Sequence, residues 1–454
     1  MAEPSPSPSS APSSLPSLAA AEREAVEFAA ELIRRDTTNH GGGDGREREA
    51  AEYVAELLAG AGLAPVVLEP APGRANVVAR MAGSDPSAGA LLVHGHLDVV
   101  PADPGAWSVH PFSGEVRDGV LWGRGAVDMK NADAVVIAVV RELARSGRQP
   151  VRDLVLAFTA DEEDTASYGA RWLADKHRDL FEGCTEAIGE SGGFAFHAGP
   201  GVRLYPIAAG ERGTAWLKLT ARGTPGHGSR PRSDNAVTRI SEAIARISGY
   251  EWPVRLTPMV RSALSSIAAA VDAGPPDGSG FDGVGVADVV RRLGRASALV
   301  VNTMRNSASP TMLRAGYKVN VIPEQAVAFV DGRMLAGYEE EFRATIDELT
   351  GPDVEWEYAH REIPLEVPFD AAIVRRMAAA LLAEDPGGSV VPYCMSGGTD
   401  AKQFSRLGIA CYGFTPLILP EGYDYHAMFH GTDERIPVSA LHSAVRVMDQ
   451  FLAG

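Results

Sequence analysis

Two imidazoles and a carboxylate occupy every second position where an apolar run ends. The stretch LLVHGHLDVV, Leu91 to Val100, carries His94, His96 and Asp98. Alternate residues of a strand share a face, so all three groups can converge at the strand's end. Ionisable groups gathered this way are costly to bury unless something binds or pairs them. More follow along the chain: Asp128 in GRGAVDMK, Glu162 and Glu163 in ADEED, Glu190 in IGESGGF and His430 in MFHGTDERI. A pair of divalent ions gives the set a common purpose. Two ions about 3.5–4 Å apart can share a bridging carboxylate, each taking a His and a further carboxylate. Nitrogen and oxygen donors in this mix suit Zn²⁺, with Co²⁺ or Mn²⁺ as alternatives. A ligating imidazole is commonly held through its other nitrogen by a carboxylate, and Asp98 is spaced to do this for His96. Adjacent Glu162 and Glu163 project in different directions, so one is expected to bind metal while the other faces a bridging water as general base. Singly, each residue has a plainer use, a hydrogen-bonded His at a strand end or acids opening a helix. The ordered set, with its glycine-rich surroundings, is what points to chemistry.

The elements that must hold these groups alternate in type. EREAVEFAAELIRR, EREAAEYVAELLAGAGL, NADAVVIAVVRELARSG and SYGARWLADKH have helical spacing, whereas NVVARM, ALLVHGHLDVV and DLVLAFTADEE read as strands. The expected fold class is α/β, with helices packed on a mostly parallel sheet whose strand ends form a ligand crevice. After AAGERG the pattern changes. TAWLKLTARG, VIPEQAVAFVDGRML and VEWEYAHREI are strands, SDNAVTRISEAIARIS and YEEEFRATIDELTG helices, and together they form a smaller α+β unit inserted into the first. The α/β pattern resumes at DAAIVRRMAAALLAED. Within the insertion the stretch 251–298 is extra, part helical and Gly-rich, and has no assigned role.

Bulk properties narrow the partners. Forty-two basic residues against 59 acidic ones give a net charge of −17. With no basic run, neither nucleic acid nor an anionic membrane is an expected partner. Three widely spaced cysteines, Cys184, Cys394 and Cys411, form no CxxC pair, which argues for a reducing, cytoplasmic setting. The opening MAEPSPSPSSAPSSLPSL is a disordered tail by composition and lacks the basic and apolar regions of a secretion signal. No apolar stretch is long enough to span a bilayer.

The ordered set HGHLDVVP, GRGAVDMK, ADEE, GESGG and FHGTDERI closely resembles the M20 metallopeptidase family, from about Glu22 to the C-terminus. GAWSVHPFSG and ESGGF lean towards its carboxypeptidase S-like and N-acyl amino acid hydrolase branch. The resemblance implies a residue 1–20 tail, a catalytic domain from 21–209 and 364–454, and a lid or dimerisation domain at 210–363. It implies that His96 and Glu190 hold one metal and Glu163 and His430 the other, with Asp128 bridging. Glu162 would be the base, Asp98 the residue orienting His96, and His94 a residue behind the site. A cis peptide after Asp128 is also implied. In the inserted unit, GTPGHGSRP supplies His227, which resembles a lid histidine that stabilises an oxyanion, often from a partner subunit. YKVNVIP supplies Asn320, VDGRML supplies Arg333, and SGGTDA supplies Gly398 and Thr399, all resembling substrate-binding positions. Arg333 would pair with a substrate carboxylate through two bonds, although a turn role for Asn320 and a surface ion pair for Arg333 explain them equally well. The expected activity is dinuclear metal-dependent hydrolysis of an amide or peptide bond in a small carboxylate-bearing substrate, of dipeptidase or carboxypeptidase type. The alternatives are an N-acyl amino acid deacylase and a homologue that binds without turnover. A homodimer through the inserted unit is expected.

Overall fold

The protein is described here from a computed structural model covering residues 18–274 and 285–454. The proline-rich opening falls outside these residues as far as position 17, and the first helix runs Ala19–Arg34. A ten-stranded sheet forms the larger body. Its middle is parallel, in the spatial order Leu154–Thr159, Ala90–His96, Cys184–Gly189 and Ala410–Gly413. Every residue of Ala90–His96 is buried, which is why the sequence there is an apolar run rather than an alternation. Leu91 and Val93 face a core under helices Ala19–Arg34, Lys130–Ser146 and Val438–Ala453, while Ala90 and Leu92 face Leu173, Phe181 and Phe404 on the other side. Because the central strands run the same way, their C-terminal ends open on one side, and His96, Glu162, Glu163 and Glu190 lie at those ends, whereas Asp128 follows Val120–Trp122 of a separate three-stranded sheet.

A separate four-stranded antiparallel sheet has the order Ser307–Ala315, Gln325–Met334, Gly213–Arg222, Val354–Arg361. Here burial alternates along the strands, as expected when helices cover one face only. Leu217, Leu219, Ala328 and Val330 pack beneath helices Ala236–Ser248 and Glu339–Thr350. Thr214, Trp216 and Arg333 have the opposite parity, and a β-bulge opposite Trp216 and Leu217 turns His360 to the same uncovered face, although it shares the parity of the core-facing Val354 and Tyr358. Where the chain leaves the large sheet for the small one and where it finally returns, it runs side by side, and Thr214 and Glu362 exchange backbone hydrogen bonds of 3.2 and 2.9 Å at that crossing.

The stretch 251–298 returns to the larger body. Thr257 caps helix Pro258–Ala270 by accepting from the Val260 N–H at 3.3 Å. Val260, Leu264 and Ile267 join the large core, as do Val286 and Val289 further on. The interval 210–363 therefore contains residues of both cores. The edge strand Ser307–Ala315, which carries Pro310, has no counterpart in the pattern read from sequence; proline in a strand favours an edge position.

Candidate metal centre

Four loops deliver the site. His96 is the last residue of its strand, and its Nδ1 donates to the Asp98 backbone carbonyl at 3.0 Å. That bond fixes the ring so that Nε2 faces Asp128 Oδ1 at 3.2 Å. The Asp98 carboxylate, expected to hold the imidazole itself, lies 3.6 Å from Nδ1. It accepts instead from the backbone N–H groups of Glu162 and Glu163, both at 3.1 Å, and from Asn39 Nδ2 at 2.9 Å. The orientation of His96 thus falls to the main chain, and the side chain of Asp98 holds the turn carrying the two glutamates. Asp161, just before them, has φ of 65°, a conformation that few residues other than Gly adopt readily. It is pinned by Arg74 Nη2 at 2.7 Å and Asn39 Nδ2 at 3.1 Å.

Asp128 lies between the two imidazoles. One oxygen faces His96, and the other is 3.2 Å from His430 Nε2. The Asp128–Met129 peptide is cis. Glu163 Oε2 is 3.1 Å from His430 Nε2, whereas Glu190 and Glu162 approach His96 Nε2 at 4.0 and 3.9 Å. The geometry groups His96, Asp128 and Glu190 as one potential ligand triplet and Asp128, Glu163 and His430 as a second. In each, the ligand atoms lie within 4.8 Å of one another. Glu163 Oε1 is buried with no hydrogen-bond partner, as a carboxylate with a ligand still to meet would be. The donor set therefore fits two divalent ions. Glu162 belongs to neither triplet. His94 sits deeper in the strand against Phe404, where burial pushes its pKa down to about 3.

Without metal the site is electrostatically loaded. Burial opposes a charge on His96, but Asp128, Glu162 and Glu190 outweigh it and raise its pKa well above the usual range. Hydrogen bonds to Asp128 and Glu163 raise His430 to about 10. Burial and the nearby Glu190 charge push Glu162 well up, and burial with the Asp128 charge does the same to Glu190. The carboxylates around both imidazoles thus favour their protonated forms in the metal-free protein, and an imidazole must lose that proton to bind metal. Loading two Zn²⁺ ions at pH 7 is expected to release at least about two protons, and affinity is expected to climb with pH. Calorimetry in two buffers of different ionisation enthalpy measures the release; heats independent of buffer would refute it.

Glu434 ties two of the loops together. Its buried carboxylate accepts from the N–H groups of Gly125, Val127 and Asp128 at 3.0, 2.6 and 3.0 Å, and from Arg124 Nη1 at 2.6 Å. The loop bearing His430 is thereby locked to the loop bearing Asp128. The sequence FHGTDERI shows the charge of Glu434, but only the fold reveals this use.

Beside the triplets lies a cavity of about 250 Å³, and Glu162, Glu163 and His430 reach it from the large sheet. Thr214, Trp216, Arg333 and His360 roof it from the uncovered face of the small sheet, and Gly398, Thr399 and Asp400 form another wall. Arg333 is therefore at the cavity, but Nε and Nη2 already hold Asp331 at 2.8 and 3.1 Å. Thr399 gives its N–H and Oγ1 to Glu211 at 3.0 and 2.7 Å. His227 and Asn320 are not brought to this cavity. Both are exposed, His227 ending and Asn320 preceding the paired short strands Gly226–His227 and Val321–Ile322, where His227 Nδ1 meets Ser229 Oγ at 2.8 Å and the Asn320 carbonyl accepts from Gly228 N–H at 2.8 Å. Trp216 and His360, whose ring centroids lie 5.0 Å apart with their planes tilted by 46°, are cavity residues that the sequence did not reveal. Alternation was an available signal for Trp216 alone, because a β-bulge puts His360 on the face that its own strand's alternation does not give it.

The Peptidase family M20/M25/M40 pattern matches residues 92–454. The chain is similar to the N-fatty-acyl-amino acid synthase/hydrolase PM20D1 of Xenopus tropicalis, 27% identical over 426 residues that span 89% of this chain and 80% of the relative. It is also similar to aminoacylase-1 of Sus scrofa, 25% identical over 419 residues, 88% of each chain. In fold it is similar to the M20 family metallo-carboxypeptidase Sso-CP2 of Sulfolobus solfataricus, with a TM-score of 0.69 at 16% identity, covering 95% of this chain and 98% of the other. The family match runs from within the His96 strand to the last residue, taking in both triplets, Glu162 and the cavity walls, and the chain belongs to peptidase family M20/M25/M40.

Proposed function

We propose that this protein is a dinuclear zinc hydrolase that cleaves an amide or peptide bond in a small substrate bearing a free carboxylate. The observation that carries the reading is Glu162, a carboxyl facing the cavity beside two ligand triplets without belonging to either. When bound, the ions polarise the scissile carbonyl and make water a stronger acid. Glu162 then takes a proton from the attacking water and passes it to the leaving amine. A carboxyl whose pKa stands above the ordinary range suits both halves of that transfer. Asp98 fixes the turn that aims Glu162 and Glu163, and the His96 ring is set by its bond to the main chain. Substitution of Co²⁺ or Mn²⁺ for Zn²⁺ is compatible with the same donors.

His227 is proposed to reach the developing oxyanion from a second copy of the chain, with Asn320 beside it. Support comes from its exposed position away from this chain's cavity and from the neighbouring Tyr317 and Val319, both strongly exposed apolar groups. Exposed apolar surface of this kind is a feature of association sites. The lid role proposed for the small sheet rests on the cavity roof it supplies.

Two substrate classes follow. The peptidase reading draws on the carboxypeptidase and dipeptidase folds among similar structures. The N-acyl amino acid reading draws on the relatives named for hydrolysing such compounds. Zinc-loaded protein assayed on dipeptides and N-acyl amino acids separates them. Turnover confined to one panel assigns the class, and silence on both overturns the proposal. A reducing, cytoplasmic setting is supported by three unpaired cysteines, and no helix among the described residues is long and apolar enough to cross a membrane.

A further inference from the structure

We propose that Lys402 is the second cation of a subsite for the substrate's free carboxylate, acting beside Arg333 through the wall formed by Thr214 and Gly398. The inference rests on the amide-hydrolase reading and deepens it by naming a residue that holds the substrate's carboxylate.

Arg333 falls short of this task alone. One of the two edges of its guanidinium that can grip a carboxylate through parallel bonds, Nε with Nη2, is taken by Asp331, two positions back on the same strand. What remains is Nη1, which reaches Thr214 Oγ1 at 3.3 Å. The same hydroxyl oxygen accepts from Lys402 Nζ, also at 3.3 Å. Two cations therefore converge on one hydroxyl of the cavity wall.

Lys402 is an unusual residue to find there. Its side chain is 1% exposed, and lysine, with its strongly hydrated ammonium, is rarely buried so completely. The acids near it are shared with other groups. Glu362 lies 3.5 Å from Nζ but is also drawn by Arg171 and His360, both at 3.6 Å. Glu211 is occupied by the N–H and hydroxyl of Thr399. Glu362 and Glu211 thus face the ammonium from within the protein, and the charge is held against the cavity wall rather than being buried alone.

Gly398 supplies the opening. A Cβ built there would stand 2.1 Å from Lys402 Nζ, and this glycine does not adopt a positive φ. Backbone conformation does not demand glycine at this position; the ammonium behind it does. With no side chain at 398, only backbone separates the charge from the cavity, where an anionic group would meet it.

The test compares kcat/KM for N-acetyl amino acids and dipeptides, each beside its own C-terminal carboxamide, using zinc-loaded protein. The wild type is expected to prefer the carboxylate. In Lys402→Met that preference should fall by roughly tenfold to a hundredfold, with KM moving more than kcat. Gly398→Ala should lower it too, because the new methyl pushes the flexible ammonium aside without removing it. Lys402→Arg should retain most of it. Zinc content and melting temperature, measured on each variant, identify any that fail to fold. Retention of the wild-type preference by folded Lys402→Met or Gly398→Ala overturns the proposal, and so does an equal loss on both members of each pair, which marks a structural role. Wild-type turnover without preference for the carboxylate overturns the subsite and leaves the hydrolase reading standing. Wild-type silence on every compound removes the hydrolase reading, and this inference with it.

Discussion

Glu162→Gln is expected to keep both metals bound and to lower kcat by about 10²–10⁴-fold, the usual contribution of a positioned general base. The change is nearly isosteric and removes only the ability to accept and return a proton. Metal retention follows from geometry: Glu162 lies outside both ligand triplets, and its closest approach to a ligand nitrogen is 3.9 Å, to His96. Removing its charge also relieves repulsion with Glu190, whose proximity helps push the Glu162 pKa up, so the variant should fold at least as well as the parent. Zinc content by elemental analysis and kcat on the best substrate of the panel decide the matter. Full activity would refute the base assignment, and loss of zinc would move Glu162 into the ligand set.

The second large effect comes from mixing two dead enzymes. His227→Ala and Glu162→Gln are each expected to be nearly inactive, since one lacks the oxyanion donor and the other the base. If His227 serves the neighbouring chain, a heterodimer has one site with an intact Glu162 from one chain and an intact His227 from the other. Random exchange at equal amounts makes half the dimers mixed, so activity should return to roughly a quarter of wild type. Recovery after mixing, followed against concentration, measures it. Absence of recovery, with sedimentation showing active wild-type monomer, would refute action between chains.

The ligand set was legible because its chemistry is local in sequence. Each metal-facing residue follows a strand or a glycine-rich turn, and the spacing of His96 and Asp98 already limits where they point. The detailed role of Asp98 was less legible. Spacing alone could not distinguish its carboxylate from its carbonyl as the partner of His96, and the fold gives that bond to the carbonyl. Trp216 stayed hidden because alternation separates the two faces of a sheet without saying which one roofs a cavity, and His360 because a β-bulge overrides its own strand's alternation. Helix Pro258–Ala270 hid for a related reason. Its apolar stripe was readable, but a stripe does not name the core it will join, and this one left the sheet on either side of it in sequence for the larger body. Lys402 gave no signal as a lysine following SGGTDA; only its burial beside Gly398 distinguishes it.

The clamp made by Glu434 has a consequence for the order in which the protein is made. A chain leaving the ribosome presents Asp128, Glu163 and Glu190 first, and His430 with Glu434 arrives about 240 residues after Glu190. At about 5–20 residues per second that is roughly 10–50 s. During this interval the Gly125–Asp128 turn has no acceptor for its N–H groups, and the bridging carboxylate has met only one of its two imidazoles. Maturation of the centre therefore waits until the segment bearing His430 and Glu434 has been made and closes over a half-built cradle. A ribosome stalled before that point would hold a sheet largely formed and a catalyst not yet begun.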